Sequence, residues 1–184
     1  MERGITIAKP QLVLDEIKYY LSSPVFFHRE NLSGATGRFL EAILDFLTIN
    51  FQSRLKRKPG NDYTLSELLD CLSKDLLKVL KVQRMDCLQD GKYCNNNVAD
   101  EVYLKPVIDE IKNLKAIRNQ VGAHFTFDGA LVSDNDIEDF AKSTIKLAEL
   151  LVCPINGTLP HRNKSGSYWE TKSGAIRLFP LIEP

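Results

Sequence analysis

Apolar residues recur at helical spacing in run after run of this chain, and that periodicity predicts a helical architecture. The sharpest run opens at Thr64, with Glu67 three residues later, a pair suited to reciprocal hydrogen bonds at a helix start. Leu65, Leu68, Leu69, Leu72, Leu76, Leu77 and Leu80 then share one face. Ser133 with Asp136 repeats the device ahead of Ile137, Phe140, Ala141, Ile145, Leu147 and Leu151, which predicts a helix to about Val152. Further helices are expected over Lys9 to Leu21, with Pro10 in its first turn, and over Gly37 to Lys58, where Phe39, Leu40, Ile43, Leu44, Leu47 and Phe51 form a wide stripe. Another is expected over Asp100 to Gly122, with Leu104, Val107, Ile108, Ile111, Leu114 and Val121. Val25 to Leu32 and Met85 to Val98 read as loops, the second marked by Asp90-Gly91.

After Pro154 the helical period is lost. Short strands fit Ser167 to Thr171 and Ala175 to Phe179, joined by a turn near Ser173-Gly174. The expected fold is therefore mainly α: a bundle of about five helices over residues 1–152, then a small β-hairpin tail over 153–184.

The 24 basic and 24 acidic residues cancel, so net charge does not announce a nucleic-acid binder. A local basic patch remains open. The densest is Arg54-Leu55-Lys56-Arg57-Lys58, and Arg54, Lys56 and Arg57 are candidates for phosphate contact, with a solvated helix end as the competing reading. The charged N-terminus lacks the apolar stretch of a secretory signal, and no run is long enough to span a membrane. Cys71, Cys87, Cys94 and Cys153 are irregularly spaced with no C-x-x-C pair, which predicts free thiols and a cytoplasmic setting.

The run that carries chemistry is Ile117-Arg118-Asn119-Gln120-Val121-Gly122-Ala123-His124-Phe125. Positions 111, 114, 118 and 121 step at helical spacing, so Arg118 projects from the apolar stripe. A guanidinium there needs an acid, a ligand or a wet cleft. Gly122 suits a helix end, and His124 follows it. In an unbroken helix His124 would lie about 120° around from Arg118, so a break or a second subunit is needed to bring them together. Once together, arginine supplies a phosphate-matching fork and histidine a proton donor and acceptor near neutral pH. A structural arginine with a hydrogen-bonded core histidine is the alternative. His28 and His161 read as surface or packing residues.

Arg118, the polar Asn119 and His124 at the end of the penultimate long helix resemble the motif of the HEPN superfamily. The resemblance covers roughly residues 10–152. It implies a helical bundle that dimerises so that two motifs face one cleft, and metal-independent RNA cleavage with Arg118, Asn119 and His124 as the catalytic set. It further implies a toxin or defence role against RNA (tRNA among the candidates), with an antitoxin or an ATPase or sensor as partner. The alternative within the family is a non-catalytic module that binds RNA, nucleotide or protein, or that serves only for dimerisation. Asp109 and Glu110 are candidate upstream acids and Lys115 a candidate phosphate contact, each against solvated charge.

The tail resembles a zinc ribbon that has lost its metal, with an ordinary hairpin that never bound metal as the alternative. Cys153 holds the first ligand position, while Asn156, Thr171 and Ser173 hold the others. Structural zinc requires four thiolate or imidazole ligands, so neither zinc nor another cofactor is expected. Tyr168, Trp169, Leu178, Phe179 and Leu181 are the available packing anchors.

Overall fold

A computed structural model describes residues 9–50, 63–72, 74–87, 94–117, 132–162 and 168–179. Among them are six helices: α1 (Pro10–Leu21), α2 (Arg29–Asn50), α3 (Leu65–Cys71), α4 (Lys74–Val79), α5 (Lys105–Ile117) and α6 (Asp134–Leu151). The strands are β1 (Lys81–Cys87), β2 (Cys94–Tyr103), β3 (His161–Arg162), β4 (Trp169–Glu170) and β5 (Ile176–Phe179). They form one antiparallel sheet in the order β2-β1-β5-β4-β3.

Both predicted capping boxes are present. Glu67 N–H donates to Thr64 Oγ1 at 3.3 Å, and Thr64 N–H donates to the Glu67 carboxylate at 2.9 Å. At α6 the Asp136 N–H donates to Ser133 Oγ at 3.2 Å, and Ser133 N–H returns a bond to Asp136 at 3.0 Å. These bonds satisfy donors that a helix start otherwise leaves unpaired. Alanine at Ser133 is therefore expected to lower stability by about 1 kcal/mol. Urea titration checks this, with a lower midpoint at unchanged slope.

Helix α6 is the hub. It packs against α1, α2, α5 and β5 and buries Ile137, Phe140, Ala141, Leu147, Leu150 and Leu151. Facing it, α2 contributes Phe39, Leu40, Ile43, Leu44 and Leu47, all buried. Arg29 ties the starts of the two helices together, pairing with Asp134 at 3.2 Å and donating to the Val132 carbonyl.

Four expectations need correction. Helix α2 begins at Arg29, inside the stretch read as loop. Ser33, Gly34 and Gly37 are poor helix formers, but Leu32, Ser33, Ala35 and Thr36 are all buried there, and packing overrides propensity. The helix predicted over Thr64 to Leu80 is two helices, because Leu72 takes an extended backbone with φ −75° and ψ 91°. Leu72 stays buried through the break, so the leucine spacing hides it.

The third correction is larger. Residues 81–87 and 94–103 form a hairpin where a loop over Met85 to Val98 and a helix start at Asp100 were expected. Pro106 explains the late start of α5: a proline ring clashes with the carbonyl four residues earlier, so it fits only in a first turn. The sheet is thus more than a hairpin tail. Strand β1 pairs with β2 on one side and with β5, the central strand, on the other, so the sheet draws strands from both sides of residue 152. Asp90-Gly91 lies outside the described residues.

The fourth concerns the thiols. Cys87 is disulfide-bonded, and the residue opposite it in the β1–β2 register is Cys94. Cross-strand pairs bring side chains within about 5 Å, a proximity invisible in linear spacing. Cys71 and Cys153 form no disulfide. Among the described residues, no helix is long and apolar enough to cross a membrane.

Candidate functional site

Helix α5 presents the predicted stripe to the core. Leu104, just before the helix, and Val107, Ile108 and Ile111 on it are buried, and Leu114 packs partly buried against the same cluster. Arg118 follows α5 directly in sequence. Arg118, Asn119 and His124 lie outside the described residues, as do Arg54, Lys56 and Arg57. The backbone of Lys115 belongs to α5, but its side chain also lies outside the description.

The upstream acids are both engaged. Asp109 pairs with Lys105 one turn earlier. Glu110 accepts from the Ser143 hydroxyl at 2.6 Å and pairs with Lys146 at 3.4 Å, bridging α5 to α6. The Ser143 hydrogen bond, helped by Lys146, holds the Glu110 carboxyl below its ordinary value. Glu110, Asn113, Leu114, Asp139, Lys142 and Ser143 line an open groove of about 490 Å³ between the two helices. The groove reaches Leu114, one turn before Arg118 in sequence.

The sign of the Glu110 effect follows from linkage. A carboxyl whose folded value is depressed stabilises the fold above its unfolded value, near 4.5, and that contribution is lost as pH falls through the folded value. Replacing Ser143 by alanine is expected to lower the melting temperature more at pH 7 than at pH 3. Equal losses at both pH values would remove the carboxylate from the explanation.

Helix α2 carries a polar line that the apolar reading of its stripe missed. Glu41, Asp45 and Thr48 are 9%, 3% and 1% exposed, at positions that share one face. Thr48 Oγ1 donates to the Asp45 carbonyl at 2.9 Å. Buried carboxylates require partners or protonation, so their spacing within a strong apolar stripe was the available signal.

In the tail, three of the four ribbon-like positions converge. Cys153 Sγ lies 3.0 Å from Ser173 Oγ, which is 3.4 Å from Thr171 Oγ1. Asn156 instead accepts from the Thr158 N–H and hydroxyl at 3.2 and 2.7 Å. Each half closes on a glycine with positive φ, Gly157 at 67° and Gly174 at 75°, whose N–H groups donate to Cys153 and Thr171 carbonyls, both at 2.8 Å. A Cβ at Gly157 would also meet the Gln11 Cβ at 2.8 Å, so that position demands glycine twice over. Among the described residues, no three His, Cys, Asp or Glu side chains are grouped to hold a metal ion. His28 and His161 are exposed.

A second cavity, about 420 Å³, lies where α1, β1, α6 and β5 meet. Its cations are already engaged: Lys18 pairs with Glu149 at 2.7 Å, and Arg84 donates to the Glu149 carbonyl at 3.0 Å. Comparison with known proteins returns no match to any family model, curated protein or solved structure.

Proposed function

We propose that this chain is a metal-independent endoribonuclease of the HEPN kind, acting as a homodimer in the cytoplasm. The observation that carries the reading is the sequence Arg118-Asn119-x4-His124 following directly on α5, a helix whose stripe is buried through Ile111. The groove beside Leu114 adds support, because it leaves solvent-accessible space along the same helix.

The chemistry follows from the residue types. The ribose 2′-oxygen attacks the adjacent phosphorus, and the bond to the 5′-oxygen breaks. A histidine takes the 2′-hydroxyl proton, and an acid returns one to the leaving oxygen; two copies of His124 across a dimer cleft supply both roles. Arg118 holds the phosphate with its fork and stabilises the charge that grows on it. Asn119 adds amide hydrogen bonds to the same group. Lys115, Arg54, Lys56 and Arg57 serve as contacts to the flanking backbone, which orient the strand without reading its sequence. Such an enzyme endangers its own cell, which fits a toxin or defence role restrained by an antitoxin or by an ATPase or sensor partner.

The test is cleavage of total tRNA and of a mixed-sequence single strand in EDTA. The expected products carry 2′,3′-cyclic phosphate ends. Intact RNA under these conditions, from protein shown to be folded and dimeric, overturns the proposal in favour of a non-catalytic binding module.

A further inference from the structure

The outward face of the sheet carries aromatic rings and cations in alternation. Tyr103, Lys81 and Phe179 are register partners across β2, β1 and β5 and so form one row. Lys81 Nζ lies 6.0 Å from the Tyr103 ring centre and 5.6 Å from that of Phe179. The Phe179 ring meets Tyr168 at 5.1 Å, and the Arg177 guanidinium packs on Tyr168 at 4.6 Å. A second row is polar: Glu101, Gln83, Arg177 and Glu170 follow one another across four strands. Glu101 accepts from Lys81 at 3.0 Å and from Gln83 at 2.7 Å, and Glu170 pairs with Arg177 at 2.8 Å. Each carboxylate therefore holds a neighbour in position beside a ring.

We propose that this face is a stacking platform for single-stranded RNA. Neighbouring strands lie about 4.8 Å apart, so the Tyr103 and Phe179 positions lie about 10 Å from each other, with Tyr103 the exposed ring and Phe179 half-buried against Tyr168. Lys81 interrupts them, which argues against a continuous apolar protein interface. Flat rings with cations between them suit unpaired bases and the backbone that links them. Tyr103 is 48% exposed, so its ring is accessible to a base. Lys81 and Arg177 are balanced by Glu101 and Glu170, so affinity comes from stacking more than from phosphate contact. Its salt dependence is accordingly shallow. The inference deepens the proposed ribonuclease by giving its substrate a docking surface, and binding is measured apart from cleavage so that each can fail alone.

The experiment is fluorescence anisotropy of the full chain with a labelled single-stranded RNA of about 12 nucleotides, within the span of such sites. The His124→Ala protein is used so that the probe survives. Tyr103→Ala is expected to weaken binding by about five- to a hundredfold, Tyr103→Phe to leave it nearly unchanged, and a duplex of the same sequence to bind less well. Unaltered binding by Tyr103→Ala, equal loss by Tyr103→Phe, equal binding of duplex, or no binding up to about 100 μM each overturns the platform. Cleavage without a Tyr103 effect removes the platform and leaves the ribonuclease. Binding through Tyr103 without cleavage does the reverse.

Discussion

Alanine at His124 is expected to cut RNA cleavage by roughly 100- to 10,000-fold, the ordinary contribution of general acid–base help. Alanine at Arg118 is expected to fall in the same range, because it removes the group that meets the phosphate as charge develops there. The two act on one transition state, so the double variant loses little more than the worse single one. Arg118→Lys keeps the charge but loses the planar fork, and so recovers only part of the rate. Initial rates on one RNA, with melting curves to show that each variant is folded, decide the matter. Wild-type rates in His124→Ala would place the chemistry elsewhere.

Phe140→Ala carries the second large effect, on stability. Phe140 is fully buried in α6, the helix that touches α1, α2, α5 and β5. Deleting a buried phenyl ring removes its transfer free energy and leaves a cavity, together about 3–5 kcal/mol. Domains of ordinary stability hold only about 5–15 kcal/mol, so the variant sits near the edge of folding. Urea unfolding of the two proteins measures the difference. Phe26→Ala is the control: Phe26 is 37% exposed, stacks on Tyr19 at 4.4 Å, and should cost far less. A loss below 1 kcal/mol in Phe140→Ala would show that α6 is not the hub that its burial implies.

Local signals were legible in the sequence and long-range ones were not. Thr64 with Glu67 and Ser133 with Asp136 mark helix starts because their hydrogen bonds span three residues. Pro10 and the Ile137-to-Leu151 stripe are equally local. The β1–β2 hairpin leaves no local signature because only Val82 and Met85 of β1 are buried, too few to show a period of two. Its other support, the pairing of Lys81 with Phe179, joins residues far apart in the chain. The stacking row of Tyr103, Lys81 and Phe179 was hidden for the same reason. For the candidate catalytic pair, residue types and helix register are readable. The meeting of Arg118 with His124 is not, since an ideal helix turns them apart.

The position of β5 also has a consequence for how the protein is born. A ribosome releases β1 and β2 well before residues 176–179, which cover the second edge of β1. At about 5–20 residues per second, that edge waits on the order of ten seconds with its N–H and C=O groups unpaired. During the wait each nascent chain offers a template to its neighbours on the same message. Crowded translation should therefore favour aggregates that pair β1 with β1, until the last strand emerges and closes the sheet.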